Sequence, residues 1–409
     1  MNAKLLALPL LVAAAGLTAC SDDPQGGKTQ EPRKIELNPV QSRVASEMAP
    51  FGWDYFKAAI DNTAGENTVV SPLSMEYALA LTANGTAGTT RSEILAAMGF
   101  GADDIADMNS YFKAISADIS SLNPDCKLQI ANSIWANTDA SFEYKDAFRQ
   151  TVAGNYDAES LTTSDNKYVA DINSWCKNHT SGMIPEFLPK GASPKAFSLI
   201  NALYFNGKWE HEFDKKDTKS QIFHNEVGDI KATPFMNLRD VQFNYTENEH
   251  AQIVELPYKG GTFSMYLIVP SEGSSIDAAI ADITADGWNN VVAGMSATDI
   301  ILSMPKFKIE YAPDCKKALN TLGIIEMFGN TPDFSPMTDT GIGNIQIIQK
   351  CVVDVNEEGT EAAAVTGISG ETCAGPEVIK IIKADHPFIY LIQENSTGAI
   401  LFIGKICKF

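Results

Sequence analysis

Side chains able to act as nucleophile, base or metal ligand are few in this 409-residue chain and lie far apart. The five histidines, His179, His211, His224, His250 and His386, form no HExxH pair, so they lack the spacing that puts two ligands on one helix face. No GxSxG elbow and no glycine-rich phosphate loop occurs. Cys373 is a conceivable nucleophile, but no signature of a cysteine enzyme surrounds it. The expectation is a protein that is not an enzyme, with no catalytic residue, no metal and no cofactor. The chemistry on offer is that of a backbone. Glu357-Glu358-Gly359-Thr360-Glu361-Ala362-Ala363-Ala364-Val365-Thr366 follows the strand-like run Ile345–Val355 directly, and residues 362–370 hold no charge and no proline. Exposed loops are normally polar or punctuated by proline. This one is composed like a strand that still lacks a partner: small at alternate positions and without the residues that block edge pairing.

The elements that must position this segment can be read from periodicity and caps. Residues 42–60 have helical periodicity, interrupted near Pro50. Ser71-Pro72 is a strong helix start, serine as cap and proline in the first turn, and the helix is expected to run to about Ala83. Thr90-Arg91-Ser92-Glu93 reads as a capping box opening another helix. Residues 104–122 and 168–178 read as helices and 128–135 as a strand. Phe197-Ser198-Leu199-Ile200-Asn201-Ala202-Leu203-Tyr204-Phe205 is nearly all apolar, which suits a strand buried on both faces. Strands are expected near 251–256, 262–269, 299–310, 378–383, 387–393 and 399–406, with a helix at 313–322. Helices dominate the first half and strands the second, an α+β arrangement. Hydrophobic content of 44% and charged content of 20% are enough for a full core.

With these elements in place the hinge-like segment carries a resemblance. Glu357-Glu358-Gly359-Thr360-Glu361-Ala362-Ala363-Ala364 resembles the hinge of the reactive loop of serpins, protease inhibitors that insert a cleaved loop into their own sheet. Further motifs follow in family order. Asn67-Thr68-Val69-Val70-Ser71-Pro72-Leu73-Ser74 is similar to the segment beneath the parting of the main sheet. Asn84-Gly85-Thr86-Ala87-Gly88-Thr89-Thr90 is similar to the turn after it. Trp175, Thr180, Gly182 and Ile184 follow the Trp-Thr-Gly-Ile pattern. Asn201 to Trp209 resembles the central strand, with Trp209 where the loop first enters. His386-Pro387-Phe388 and Gly398-Ala399-Ile400-Leu401-Phe402-Ile403-Gly404-Lys405 resemble the C-terminal strands. The resemblance implies a serpin fold, about nine helices around three β-sheets with an exposed reactive loop at about 357–378, in one domain over 41–409. It implies a gate to sheet opening at Ser71, Ser74, Asn201, Trp209 and position 349. Many serpins have histidine at that last position; here it is Gln349, whose amide can still both donate and accept. Structural roles are also open to these residues: Ser71 as a cap, Asn201 in a buried hydrogen bond, Trp175 and Trp209 in packing.

The implied function is that of a suicide substrate. A protease attacks the loop, an acyl bond forms, and the loop inserts before water releases the enzyme. Thr360, Ala362, Ala364, Thr366 and Ile368 would alternate inward, and none is charged. At about 3.4 Å per residue, Thr360 to Cys373 reach roughly 48 Å. Family spacing places the scissile bond at Cys373-Ala374, with Thr372-Cys373 as the neighbouring choice. Cysteine is small and modestly apolar, so an elastase-like serine protease is the expected target. No Lys or Arg lies between Lys350 and Lys380, which disfavours trypsin-like enzymes, whose pocket demands a cation. A cysteine protease is the runner-up, Glu371 leaves room for a glutamate-specific enzyme, and surface oxidation of Cys373 could switch activity off. A non-inhibitory binding lipoprotein on the same scaffold is the competing class; the small residues at Thr360 and Ala362-Ala363-Ala364 argue against it.

The ends and the charge bear on location. Residues 1–19 have a basic start, an apolar run and a small-residue finish before Cys20, which resembles the cleavage box of bacterial lipoproteins. Cys20 would carry lipid, residues 20–40 would be a flexible tether, and Ser21-Asp22-Asp23 resembles the acidic export tag of surface lipoproteins in Bacteroides-like bacteria. The expected location is the outer membrane or cell surface, facing outward. A net charge of −20 argues against nucleic acid and against a heparin-like cofactor, because both are polyanions. A monomer is expected. The six remaining cysteines show no CxxC or zinc spacing; no pairing is assigned, and buried thiols are expected for most.

Overall fold

The computed structural model describes residues 31–61, 63–343, 345–359 and 379–409. Along the chain run α1 (Pro39–Ile60), β1 (Thr68–Val70), α2 (Pro72–Gly85), α3 (Gly88–Ala97), α4 (Ile105–Asp118), β2 (Cys126–Asn137), α5 (Asp146–Tyr156), β3 (Glu159–Thr163), α6 (Tyr168–His179), β4 (Phe197–Gly207), β5 (Lys219–Phe223) and β6 (Lys231–Glu247). Then follow β7 (Ala251–Pro257), β8 (Phe263–Pro270), α7 (Ile276–Asp286), α8 (Trp288–Ala293), β9 (Ser296–Pro305), β10 (Phe307–Tyr311), α9 (Cys315–Thr321), β11 (Ile345–Val355), β12 (Lys380–Lys383), β13 (Phe388–Glu394) and β14 (Ile400–Ile406).

These strands make three sheets. One has five strands in the order β10-β11-β4-β2-β3. The other two share the long β6. β6 pairs with β5 over Lys231–Phe235 and with β9 from Phe235 to Tyr245, and β9 pairs with β12; the last three residues of β6 pair with β7, which continues through β8, β13 and β14 to β1. Among the described residues nine helices surround the sheets, and none of these helices is long and apolar enough to cross a membrane. The α+β architecture and the count of elements are those expected. The helix α2 lies between β4 and β14 and is buried on nearly every side, as a helix apolar all round must be. A smaller second core lies on the other face of the five-stranded sheet, where Tyr168, Ile172, Trp175 and Cys176 of α6 meet Ala131, Trp135, Ile200 and Ala202.

Four local readings are corrected. The helix α1 is not broken at Pro50. Its buried face, including Val44, Met48, Phe51, Tyr55 and Phe56, continues straight across the proline. A proline in a helix costs about 3 kcal/mol, and burial of a large apolar side chain contributes about 1.5–3 kcal/mol, so a few such residues outweigh it. The start of α1 lies upstream of residue 42, at a capping box: Asn38 accepts from the N–H groups of Val40 and Gln41, and the Gln41 side chain accepts from Asn38 N–H. Ile35 is buried and its N–H donates to Ser396 Oγ, so the chain before α1 already packs on the domain. Thr90 to Glu93 are not a capping box. The helix starts earlier, at Gly88, and the two side chains serve distant loops: Thr90 Oγ1 accepts from Asp333 N–H at 2.9 Å, and Glu93 from the N–H groups of Ile325 and Glu326. The run near 299–310 is two strands in different sheets, β9 and β10, divided at Lys306.

Candidate functional site

The strands β4 and β11 run parallel and pair over seven residues, from Phe197 opposite Ile345 to Leu203 opposite Cys351. Beyond that point both continue, to Gly207 and Val355, but no longer pair with each other. The site has two ends, a latch where the strands are still joined and a hinge at the open end.

At the latch the structure brings together Ser71, Ser74, Asn201 and Gln349, all nearly fully buried. The amide of Gln349 closes a double bridge to the cap of α2. Its Oε1 accepts from Ser71 N–H at 3.0 Å and its Nε2 donates to Ser71 O at 2.8 Å. Nε2 also reaches Ser74 Oγ at 3.2 Å. On the neighbouring strand Asn201 Nδ2 donates to Ser74 O at 3.1 Å and to Asn132 Oδ1 on β2, its register partner. Asn201 Oδ1 is buried with no hydrogen-bond partner among the described residues. Thus one helix N-terminus ties β11 to β4 beneath the point where they part. Besides Asn132, sequence reasoning missed two members. Tyr55 of α1 donates to Gln349 Oε1 at 3.3 Å, and Cys315 lies 3.8 Å from the same hydroxyl. Burial raises the Tyr55 phenol well above its ordinary value and the Cys315 thiol to about 11, so both stay neutral at physiological pH. Neither was legible, because their meeting with Gln349 depends on how α1 and α9 pack.

Trp209 lies at the other end, beside the hinge. It is 2% exposed, stacks on Tyr258 at 4.6 Å, and donates through Nε1 to Asn356 O at 2.9 Å. Its backbone N–H donates to Glu358 O. The chain reverses at Asn356–Gly359, with N–H to O bonds in both directions between these two residues, 3.0 and 3.3 Å. Gly359 also forms an antiparallel bridge with Lys208, just past β4. It therefore already stands between the extensions of the two strands. Only glycine fits: φ is +131°, and a Cβ would lie 2.1 Å from Gly207 O and 2.7 Å from Lys208 Cα.

The two glutamates are pinned from the side. Glu357 is buried and receives hydrogen bonds from Lys306 Nζ and Thr218 Oγ1, both 2.8 Å. Burial pushes its carboxyl up, but these donors outweigh burial and hold it below its ordinary value. Glu358 pairs with Lys215. Lys215 opens a single 3-10 turn that ends at Thr218, and Lys306 separates β9 from β10; their meeting with the glutamates depends on tertiary packing and could not be found from sequence. Thr360, Glu361, Ala362, Ala363, Ala364, the expected reactive bond at Thr372, Cys373 and Ala374, and Cys20, the expected position of lipid, fall outside the described residues. The five other cysteines are buried and free. No cluster that could hold a metal occurs among the described residues.

Three comparisons bear on this arrangement. The family profile described as "Serpin (serine protease inhibitor)" matches residues 46–409. A serine protease inhibitor of Cyanea capillata is 33% identical over 381 residues, 90% of this chain and 98% of its own. A leukocyte elastase inhibitor of Sus scrofa is 31% identical, covering 87% of this chain and 97% of its own. Among solved structures, the thermophilic serpin tengpin in its native state superposes with a TM-score of 0.81 at 32% identity, over 93% of this chain and 97% of its own.

Proposed function

The chain belongs to the serpin family of protease inhibitors, and on that premise we propose that it is an irreversible suicide-substrate inhibitor of serine proteases with elastase-like specificity. The observation that carries this reading is the placement of Gly359. The chain has already turned back on β11 there, and its first rung is formed on both sides, to Asn356 and to Lys208. Continuing either ladder inward gives the same register. Thr360 would stand opposite Val355, Ala364 between Cys351 and Leu203, and Thr366 between Gln349 and Asn201, which are register partners. The residues that would turn toward α2 are then Thr360, Ala362, Ala364, Thr366 and Ile368, small or uncharged throughout. Insertion must undo the seven-residue pairing of β4 with β11 and carry a hydroxyl at Thr366 to the place of Asn201 Oδ1, a buried acceptor without a partner among the described residues. A protease whose serine is esterified to the Cys373 carbonyl, the Cys373–Ala374 peptide bond having broken and Ala374 having left as a free amine, would be drawn along with the strand.

The target pocket is expected to be shallow and selective for small residues, given Cys373 at the cut bond. The chain is expected to act at the outer membrane or cell surface, tethered by lipid on Cys20. The test is to mix the mature domain with elastase-like and trypsin-like serine proteases and with papain-like cysteine proteases, and to run a denaturing gel. An adduct at the summed mass that survives boiling with the elastase-like enzyme supports the reading. An adduct formed only with the papain-like enzyme replaces it by cross-class inhibition. Cleavage near Cys373 with the protease left active replaces it by a binding lipoprotein on the same fold.

A further inference from the structure

We propose that the outer face of β12, with its neighbour on β9, is a secondary docking surface for the target protease, an exosite beside the reactive loop; this rests on the inhibitory reading above. The described chain resumes at Ile379, and two of its first three residues there are exposed isoleucines. Ile379 is 54% and Ile381 65% exposed, and Ile381 is the most exposed large apolar residue among those described. They lie on one face, two apart, while Ile382 between β12 and the core is fully buried. Directly opposite Ile381 in the parallel register is Ile301, itself part-exposed. Next along the sheet, β6 breaks register between Leu238 and Val241, which sets exposed Arg239 and Asp240 beside the isoleucines. Asp240 has φ +57°, so the backbone is turned there. The result is a small apolar patch with a charged rim, the make-up of an interface core rather than of ordinary surface.

What covers it follows from its place in the chain. β12 ends its sheet, and the loop leads straight into it. Ile381 is eight residues from Cys373, at most about 27 Å of extended chain. A protease of ordinary size is a body of about 20 Å radius. With the bond seated in its cleft and the following residues in the subsites beyond, such a body overhangs β12. The occupant is therefore a protease whose surface, flanking the cleft that holds the residues after the cut bond, carries an apolar patch to meet Ile379, Ile381 and Ile301. More than half of the surface of Ile379 and Ile381 is exposed, so these two can be changed at small cost to the fold.

The test uses the full mature domain and an elastase-like protease whose active-site serine is changed to alanine, so that docking is read without acylation. Ile379→Ser and Ile381→Ser are compared with Ile325→Ser, an equally exposed isoleucine outside this sheet. The expected result is a fall in affinity of about tenfold for the pair of β12 changes and none for Ile325→Ser, with unchanged unfolding midpoints. With active protease the rate of adduct formation should fall in parallel while the final yield stays the same. Equal affinity of β12 variants and wild type overturns the exosite even if the adduct forms normally. A wild-type chain that docks through β12 but never forms an adduct overturns the trap and leaves the exosite standing. Loss of self-association in the β12 variants, with protease affinity unchanged, overturns the proposal in favour of a second copy of this chain pairing along the β12 edge.

Discussion

A single missing Cβ decides where the loop can begin. Gly359 sits so close to Gly207 O and Lys208 Cα that alanine would have to push the two strands apart. Gly359→Ala should cost about 2–3 kcal/mol, the range for strain added to a forced backbone conformation, read as a drop in the urea midpoint. It should also raise the fraction of molecules cleaved without trapping, because the first rung is lost. An unchanged midpoint would show that the hinge adjusts freely and that the rung is incidental. A second residue acts far from the loop. Glu76 of α2 is buried, and burial alone raises its carboxyl from 4.5 to about 8. Between those values the folded chain keeps a proton that the unfolded chain releases. Its contribution is therefore present in full below pH 4.5, declines as pH rises, and is gone above pH 8. The slope is about 1.4 kcal/mol per pH unit. Glu76→Gln should remove it, so the variant should gain on wild type steadily from pH 5 to pH 8. Parallel stability curves for the two proteins over that range would contradict a buried neutral Glu76.

At the scale of elements, the latch is a bond between one helix cap and one strand. Ser71 and Pro72 start α2 for reasons visible in the sequence, and Gln349 occupies a strand legible as Ile345–Val355. The side chains facing Gln349, namely Tyr55, Ser71, Ser74 and Cys315, include no group that changes charge between pH 5 and pH 8. Opening of the sheet should then be insensitive to pH in that range. Gln349→His introduces a group that titrates there. Once protonated it can no longer accept from Ser71 N–H, so opening, measured as the rate of adduct formation at fixed protease activity, should quicken several-fold from pH 8 to pH 6 in the variant and stay flat in wild type. A flat profile in both would mean that the bond to Ser71 N–H does not hold the sheet shut. These elements also show what the sequence could reveal. Strands with unmixed apolar runs, such as β4, and helices with capped ends, such as α2, were plain. The segments of β6, β9 and β10 were not, because which sheet a strand joins depends on partners distant in the chain. The same holds for the site: Gln349, Ser71, Ser74 and Asn201 were named from motif, whereas Lys215, Lys306, Tyr55 and Asn132 reach it only through tertiary packing.

For the whole molecule, the question is whether the intact fold is the most stable arrangement of this chain. Two parallel strands that cease to pair at Leu203 and Cys351, yet continue toward a hinge that has already turned back between them, describe a sheet with room for one more strand. A cut in an ordinary exposed loop leaves stability unchanged or lowers it, since it adds two free ends. A cut near Cys373 should do the opposite. It frees Thr360 and the residues after it to extend both ladders from Gly359, and main-chain bonds contribute about 1 kcal/mol each, net. In a domain of this size each kcal/mol moves Tm by about 2 °C, so a net gain of about 5 kcal/mol would read as a rise of about 10 °C. The measurement is a pair of thermal scans, intact chain against chain clipped at 373–374 with the protease then removed. A higher Tm for the clipped chain means the loop has entered the sheet, and Thr360→Arg should abolish the rise, because a charge would have to be buried opposite Val355. Equal or lower Tm after clipping would mean that the loop stays outside, and that the chain holds the fold of an inhibitor without its spring.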